Sequence, residues 1–135
     1  MLKWSEFPRV ELGFMDQDHE ECLELLHLIV GLLDQESTKD TIIDERLDAL
    51  DEHLKSHFAR EETAMQETGF PPYYIHKTEH DSVLQQYQQA LRDWHTERKR
   101  DVLKRFIAVS FMNWLETHAL TMDSVTARHI QDCRG

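Results

Sequence analysis

The 135-residue chain lacks features that mark several classes of protein. It has two cysteines, Cys22 and Cys133, far apart and outside any C-x-x-C motif, which argues against a disulfide framework. It has no excess of basic residues: the net charge is −11 and the pI about 5.2, which disfavours binding to nucleic acid or to an anionic membrane. It has no apolar run of membrane-spanning length and no apolar leader after Met1. We therefore expect an acidic cytoplasmic protein that neither binds nucleic acid nor inserts into a membrane.

Helical periodicity dominates the chain, whereas the alternation typical of β-strands is scarce. The opening segment Met1–Asp16 contains Pro8 and Gly13 and is expected to be an extended arm, with Asp16 available to cap the first helix. The polar stretch Asp93–Lys99 is expected to be a loop. The apolar pattern predicts four long helices and a short C-terminal one, over about Gln17–Gln35, Thr41–Gln66, Tyr73–Arg92, Arg100–His118 and Thr121–Asp132. Short loops indicate an all-α, antiparallel up-down-up-down four-helix bundle, in a single domain spanning residues 1–135.

Histidine and carboxylate residues are spaced for metal binding. His57 and Glu61 are four residues apart, as are His76 and His80, so each pair lies on one face of a predicted helix. One such residue on an apolar face would more simply be a hydrogen-bonded core residue. The whole set favours a metal centre, because a bound ion removes the cost of burying its carboxylates. The candidate ligands, enough for two iron ions, are His19, His57, Glu61, His76, His80, His118 and Asp123.

The last pair of candidate ligands has a different spacing. His118 and Asp123 are five residues apart, which on a regular α-helix turns the second side chain well away from the first. Both can point into one cavity only if the helix ends or widens locally towards a π-helix. We therefore predict that the helix carrying His118 stops or distorts within Ala119–Met122. Glu62, next to a candidate ligand, is expected to be solvated.

The candidate ligands and their neighbours form four short motifs. These are Asp16-x-Asp18-His19, His57-Phe58-x-x-Glu61-Glu62, Phe70-Pro71-x-x-x-x-His76-x-x-x-His80 and Trp114-Leu115-x-x-His118-x-x-x-x-Asp123. Together they closely resemble hemerythrin, in particular the single-domain bacterial hemerythrins, over essentially the whole chain. Two positions depart from the family pattern: Asp18 stands where bacterial members usually have Gln, and Ala119 where Ile is common. Neither is a ligand.

The resemblance implies reversible O2 binding, for oxygen storage, delivery or sensing, at a di-iron centre bridged by an oxo or hydroxo group. The implied ligands are His76, His80 and His118 on one iron, His19 and His57 on the other, and Glu61 and Asp123 as bridges. Dioxygen would bind at the iron held by two histidines. Leu115 matches a leucine that lines the oxygen pocket in the family, and we assign Phe58 and Trp114 to the same pocket. Plain core packing is the alternative for these three residues.

Three functional alternatives remain open at this stage. We expect the protein not to be an enzyme, although a similar centre can turn over peroxide, nitric oxide or another small substrate. An iron-handling protein and a bundle stabilised by zinc are the others, since such ligands accept several divalent ions. The expected partner is O2, together with either a separate O2-consuming enzyme or a separate signalling protein.

Overall fold

The computed structural model describes residues 1–134 and confirms the all-α bundle. A 3₁₀ turn at Trp4–Glu6 lies in the N-terminal arm. The helices that follow are α1 (Gly13–Leu33), α2 (Asp40–Glu67), α3 (Tyr73–Glu97), α4 (Arg100–Arg105), α5 (Met112–His118) and α6 (Ser124–Arg134). Segments 34–39, 68–72 and 98–99 connect the first four helices, and such short connections join antiparallel neighbours. Among residues 1–134, no helix is both long and apolar enough to cross a membrane.

The stretch from α4 to α6 is helical throughout, without an intervening loop. Two π-helical segments interrupt its α-helical geometry, the first at Phe106–Phe111 and the second at Ala119–Asp123. The second π segment confirms the distortion predicted from the spacing of the last ligand pair. The C-terminal helix is also present, but it follows directly on this segment.

Two predicted boundaries are wrong. The first helix begins at Gly13, so Asp16 lies inside it and caps nothing. The carboxylate of Asp16 instead accepts hydrogen bonds from the backbone N–H groups of Val10 (2.9 Å) and Glu11 (3.1 Å), which fixes the arm to α1.

The predicted loop at Asp93–Lys99 is helical as far as Glu97. Trp94 is buried there, and its indole N–H donates to the Asp44 carboxylate on α2 (2.7 Å). Because this contact stabilises the last turns of α3, the helix is longer than its polar sequence indicates. The helix ends at Glu97, and the residue that follows, Arg98, has a φ of 52°.

The apolar core and the candidate ligands occupy different levels of the bundle. The core runs along α1 and α2 through buried residues such as Leu26, Leu47 and Leu54. The ligands lie near the start of α1, the end of α2, the start of α3 and the end of α5, which meet at one end of an antiparallel bundle. Val10, Met15 and Ala127 form a smaller apolar cluster. The first two precede the first ligand in the sequence, and the third follows the last ligand. The ligands are therefore enclosed by apolar residues on both sides.

Candidate metal centre

The structure brings all seven sequence-predicted ligands together. Each is buried, with at most 2 % of its surface exposed. They fall into two groups, and within each group the potential ligand atoms all lie within 4.8 Å of one another. The three-histidine half contains His76, His80 and His118, the two-histidine half contains His19 and His57, and Glu61 and Asp123 belong to both.

Three imidazole nitrogens face one another in the three-histidine half. The Nε2 atom of His118 lies 3.0 Å from Nε2 of His76 and 3.2 Å from Nε2 of His80. A neutral imidazole has one N–H group and one lone pair. In each neutral ring, Nε2 therefore has a free lone pair if the proton is on Nδ1, and an N–H group if it is not.

Four of the five histidines have a hydrogen-bond partner on Nδ1, the ring nitrogen directed away from the centre. The partners are Asp18 for His57 (2.9 Å), Thr126 for His76 (2.8 Å), Glu62 for His80 (2.9 Å) and Glu79 for His118 (3.2 Å). Where the partner is a carboxylate, the Nδ1–H group donates to it, so that in the neutral imidazole the Nε2 lone pair is directed into the centre. Lone pairs that converge in this way are stabilised by a cation placed between them.

The two carboxylates divide their oxygens between the halves. Oε1 of Glu61 lies 3.2 Å from Nε2 of both His76 and His80, while its Oε2 lies 2.8 Å from Nε2 of His57. Oδ1 of Asp123 lies 3.0 Å from Nε2 of His76, while its Oδ2 lies 2.9 Å from Nε2 of His19. This arrangement is the one that a carboxylate bridging two metal ions requires.

Three of these four carboxylate oxygens, both of Glu61 and Oδ1 of Asp123, have no hydrogen-bond partner among residues 1–134. Leaving buried carboxylate oxygens in this state is costly. Imidazole nitrogen and carboxylate oxygen are both common ligands of divalent transition metals. The donor set therefore fits a metal centre, and it is compatible with two iron ions.

Ionisation in the metal-free centre follows from burial and close charges. Burial lowers the pKa of His57, but the charge of Glu61, the hydrogen bond to Asp18 and the close contact with the Glu61 carboxylate outweigh it and raise the pKa to about 10. Burial likewise lowers the pKa of His76, while close contacts with the carboxylates of Asp123 and Glu61 raise it to about 9. Burial raises the pKa of the Glu61 and Asp123 carboxyls, yet their imidazole neighbours hold the two pKa values well below the usual range. Without metal, protons on histidines thus balance the buried negative charge.

Comparison with known proteins identifies the family. The model of the hemerythrin HHE cation binding domain matches residues 11–130. The chain belongs to the hemerythrin family. This fits the geometry, since the matched residues include all seven candidate ligands.

Bacteriohemerythrins from several bacteria are similar to this chain over most of their length. A bacteriohemerythrin of Aquifex aeolicus (strain VF5) is 33 % identical over 132 residues, which is 98 % of this chain and 99 % of that protein. A bacteriohemerythrin of Methylococcus capsulatus (strain ATCC 33009) is 29 % identical over 131 residues and 93 % of each chain. A crystal structure of wild-type hemerythrin has the same fold, with a TM-score of 0.79, 24 % identity and 96 % coverage of both chains.

The three residues assigned to an oxygen pocket lie in different places in this hemerythrin fold. Phe58 stacks on the ring of His80, with centroids 4.0 Å apart and planes at 8°. Trp114 stacks on His118, at 4.5 Å and 13°. Both rings therefore cover the three-histidine half. Leu115 is 1 % exposed and belongs to the main apolar core.

The outer hydrogen-bond partners of the candidate ligands were not predicted from the sequence. Glu62, expected to be solvated, accepts from His80 and is 19 % exposed. Its position beside Glu61 was a usable signal, because a residue next to an inward ligand on a helix borders the same cavity. Glu79 precedes a candidate ligand in the same way. Nothing in the sequence marked Thr126, which lies 50 residues from His76.

Proposed function

We propose that this hemerythrin-family protein binds O2 reversibly at a centre of two iron ions, within one domain that spans residues 1–135. The role is oxygen storage, delivery or sensing, and the protein is not itself an enzyme. The bound O2 would serve a separate O2-consuming enzyme or a separate signalling protein. One observation carries the proposal: three buried histidines lie in one half of the centre and two in the other, and both halves share the two buried carboxylates.

The proposed ligands follow the two halves of the centre. They are His76, His80 and His118 for one iron, His19 and His57 for the other, and Glu61 and Asp123 for both, beside an oxo or hydroxo bridge. In support, each carboxylate has one oxygen near a histidine of each half.

The count of donors supports binding of a small ligand in the two-histidine half. The three-histidine half offers five protein side chains and the two-histidine half offers four. A site with fewer protein ligands keeps a coordination position open, as reactive metal sites do. Iron bound there would supply that position and the electrons for reversible O2 binding.

The type of donor supports reversible binding over cleavage of O2. The proposed ligands are five imidazoles and two carboxylates, so they bring little negative charge to the ions. Di-iron proteins built on four glutamates and two histidines have a more carboxylate-rich set. A nitrogen-rich set stabilises highly oxidised iron less, which favours release of O2 intact.

Exclusion of water is the remaining task of the chain. All seven proposed ligands are at most 2 % exposed. Phe58 and Trp114 cover the rings of His80 and His118. The Phe58 ring also lies beside that of His57 in the two-histidine half, with centroids 5.6 Å apart. We propose that Phe58, Trp114 and Leu115 keep water and stray reductants away from the centre and its bound O2, because a dry apolar surrounding limits proton and electron leakage.

The experiment is anaerobic loading with Fe(II), followed by repeated cycles of O2 and vacuum with visible absorption recorded throughout. We expect about two irons per chain and an absorption band that appears with O2 and disappears under vacuum. His19→Ala should abolish the reversible band. The matched control, His95→Ala, removes an exposed histidine outside the centre and should keep the band. A colour that forms once and decays, or steady consumption of O2, peroxide or nitric oxide with reductant, would contradict the proposal.

A further inference from the structure

The two halves of the centre differ in how their histidines are held. In the three-histidine half, each imidazole has its own partner on Nδ1. In the two-histidine half, His57 has such a partner in Asp18. Nδ1 of His19 is buried and has no hydrogen-bond partner within residues 1–134. A single side chain therefore provides all the outer hydrogen bonding in this half.

Asp18 is itself held in a fixed orientation by Arg60. Nε of Arg60 donates to Oδ2 of Asp18 at 2.9 Å, and a terminal nitrogen donates to Oδ1 at 2.6 Å. A bidentate guanidinium contact fixes the plane of a carboxylate as well as its position. Oδ2 of Asp18 also accepts from Nδ1 of His57. The orientation of the His57 ring is thus tied to a two-point ion pair. The side chain of Asp18 is 8 % exposed.

Asp18 and Arg60 are each next in the sequence to a proposed ligand, so their ion pair affects more than the orientation of His57. Asp18 directly precedes His19 on α1, and Arg60 directly precedes Glu61 on α2. The contact joins the two helices beside a proposed ligand on each. It therefore fixes the approach of three of the four donors of the two-histidine half.

We propose that Asp18, held by Arg60, is the positioning residue that allows the two-histidine half to retain its metal ion. The proposal rests on the two-iron centre proposed above and deepens it, because it assigns retention of one of the two ions to a residue that is not a ligand. Outer partners of metal-bound histidines fix ring orientation, and their removal typically weakens metal binding about 10–100-fold. The three-histidine half has independent partners, so its ion should not depend on Asp18.

The test is an anaerobic titration of metal-free protein with Co(II), with visible ligand-field absorption and equilibrium dialysis as readouts. The wild-type protein should bind two ions per chain. Asp18→Asn keeps the size of the side chain but removes its charge. It should lower the affinity for one ion about 10–100-fold and leave the affinity for the other unchanged. Glu21→Gln is the matched control: Glu21 lies beside Asp18 in the same group of side chains but contacts no proposed ligand, so both ions should bind as in the wild type.

A second background assigns the affected ion to its half. His19→Ala disables the two-histidine half and leaves one ion, held by the three-histidine half. Adding Asp18→Asn there should change nothing. The reciprocal variant, Thr126→Val, removes the partner of His76 and should weaken the ion that Asp18→Asn spares. The ion retained in each variant also shows that the bundle is folded.

The results separate this inference from the proposed function. Equal weakening of both ions by Asp18→Asn, or no weakening of either, would overturn the inference while the O2 measurement stands on its own. Two Co(II) ions with selective loss would support it even in a protein that failed to release O2 reversibly. Arg60→Gln should weaken the same ion, and the double variant should be no weaker than Asp18→Asn alone, because the two residues act as one unit. Additive losses would refute the role of Arg60.

Discussion

Binding of metal to the metal-free protein should release protons in a number that the centre itself determines. Metal ligands must be deprotonated, so any histidine that carries a proton on Nε2 loses it when an ion binds. His57 and His76, with pKa values of about 10 and about 9, are protonated at neutral pH in the metal-free protein. Both are proposed ligands, one in each half of the centre.

The expected number follows from these two values. At pH 7.5 both groups are almost fully protonated, so together they should release about two protons per centre. At pH 9 and pH 10, which lie near the two pKa values, the number should fall progressively below two. The decline with pH distinguishes these buried histidines from exposed ones, which carry few protons above neutral pH.

The assay is addition of Co(II) to metal-free protein in weakly buffered solution with a pH indicator, repeated at the three pH values. Protein already loaded with metal is the control and should release no protons. Release of fewer than one proton at pH 7.5 would refute the charge balance that we infer for the metal-free centre. Release that stays constant up to pH 10 would refute it as well.

The same two histidines set the pH dependence of stability without metal. Their pKa values are higher in the folded than in the unfolded chain, where a histidine has a pKa of about 6.5. Their contribution is therefore complete below pH of about 6.5 and is lost as pH rises through about 9 and about 10. As pH rises through this window, the free energy of unfolding should fall by up to about 1.4 kcal/mol per pH unit for each of the two histidines. Denaturant unfolding of metal-free protein should show this decline, and metal-loaded protein should not.

Three further predictions concern single side chains. Leu115→Ala should accelerate autoxidation of the O2-loaded protein, followed by visible absorption, because a smaller side chain admits water; an unchanged rate would remove Leu115 from the shielding role. Cys133 is exposed and should react quickly with a thiol reagent, whereas Cys22, buried and with its pKa raised by burial to about 12, should react only after unfolding. Tyr87→Phe removes the hydrogen bond to the Leu47 carbonyl and should cost about 0.5–1.5 kcal/mol in denaturant unfolding.

Local spacing explains what the sequence could predict. Residues four apart share a helical face, so the pairs His57/Glu61 and His76/His80 could be assigned to one cavity before any tertiary contact was known. The continuation of the apolar seam on α2 into His57 and Glu61 placed the centre inside the bundle. Sequence periodicity was sufficient here because one helix supplies both members of each pair.

Contacts between helices explain what the sequence could not predict. Asp18 and Arg60 lie 42 residues apart, and His118 and Glu79 lie 39 apart. Their pairing depends on the packing of helices and not on the periodicity of any one of them. The extension of α3 has the same origin, since Trp94 is held by a residue of another helix.

The second π segment shows how a local irregularity brings Asp123 into both halves of the centre. On a regular α-helix, five residues advance the chain about 140° past a full turn, so Asp123 would point away from His118. The wider turn at Ala119–Asp123 returns the carboxylate to the same side, with Oδ1 3.1 Å from Nε2 of His118. Without Asp123, Glu61 would be the only side chain common to both halves. Because π-helical turns are rare and occur often at functional sites, the position of this one argues that its purpose is to bring a second carboxylate between the two halves.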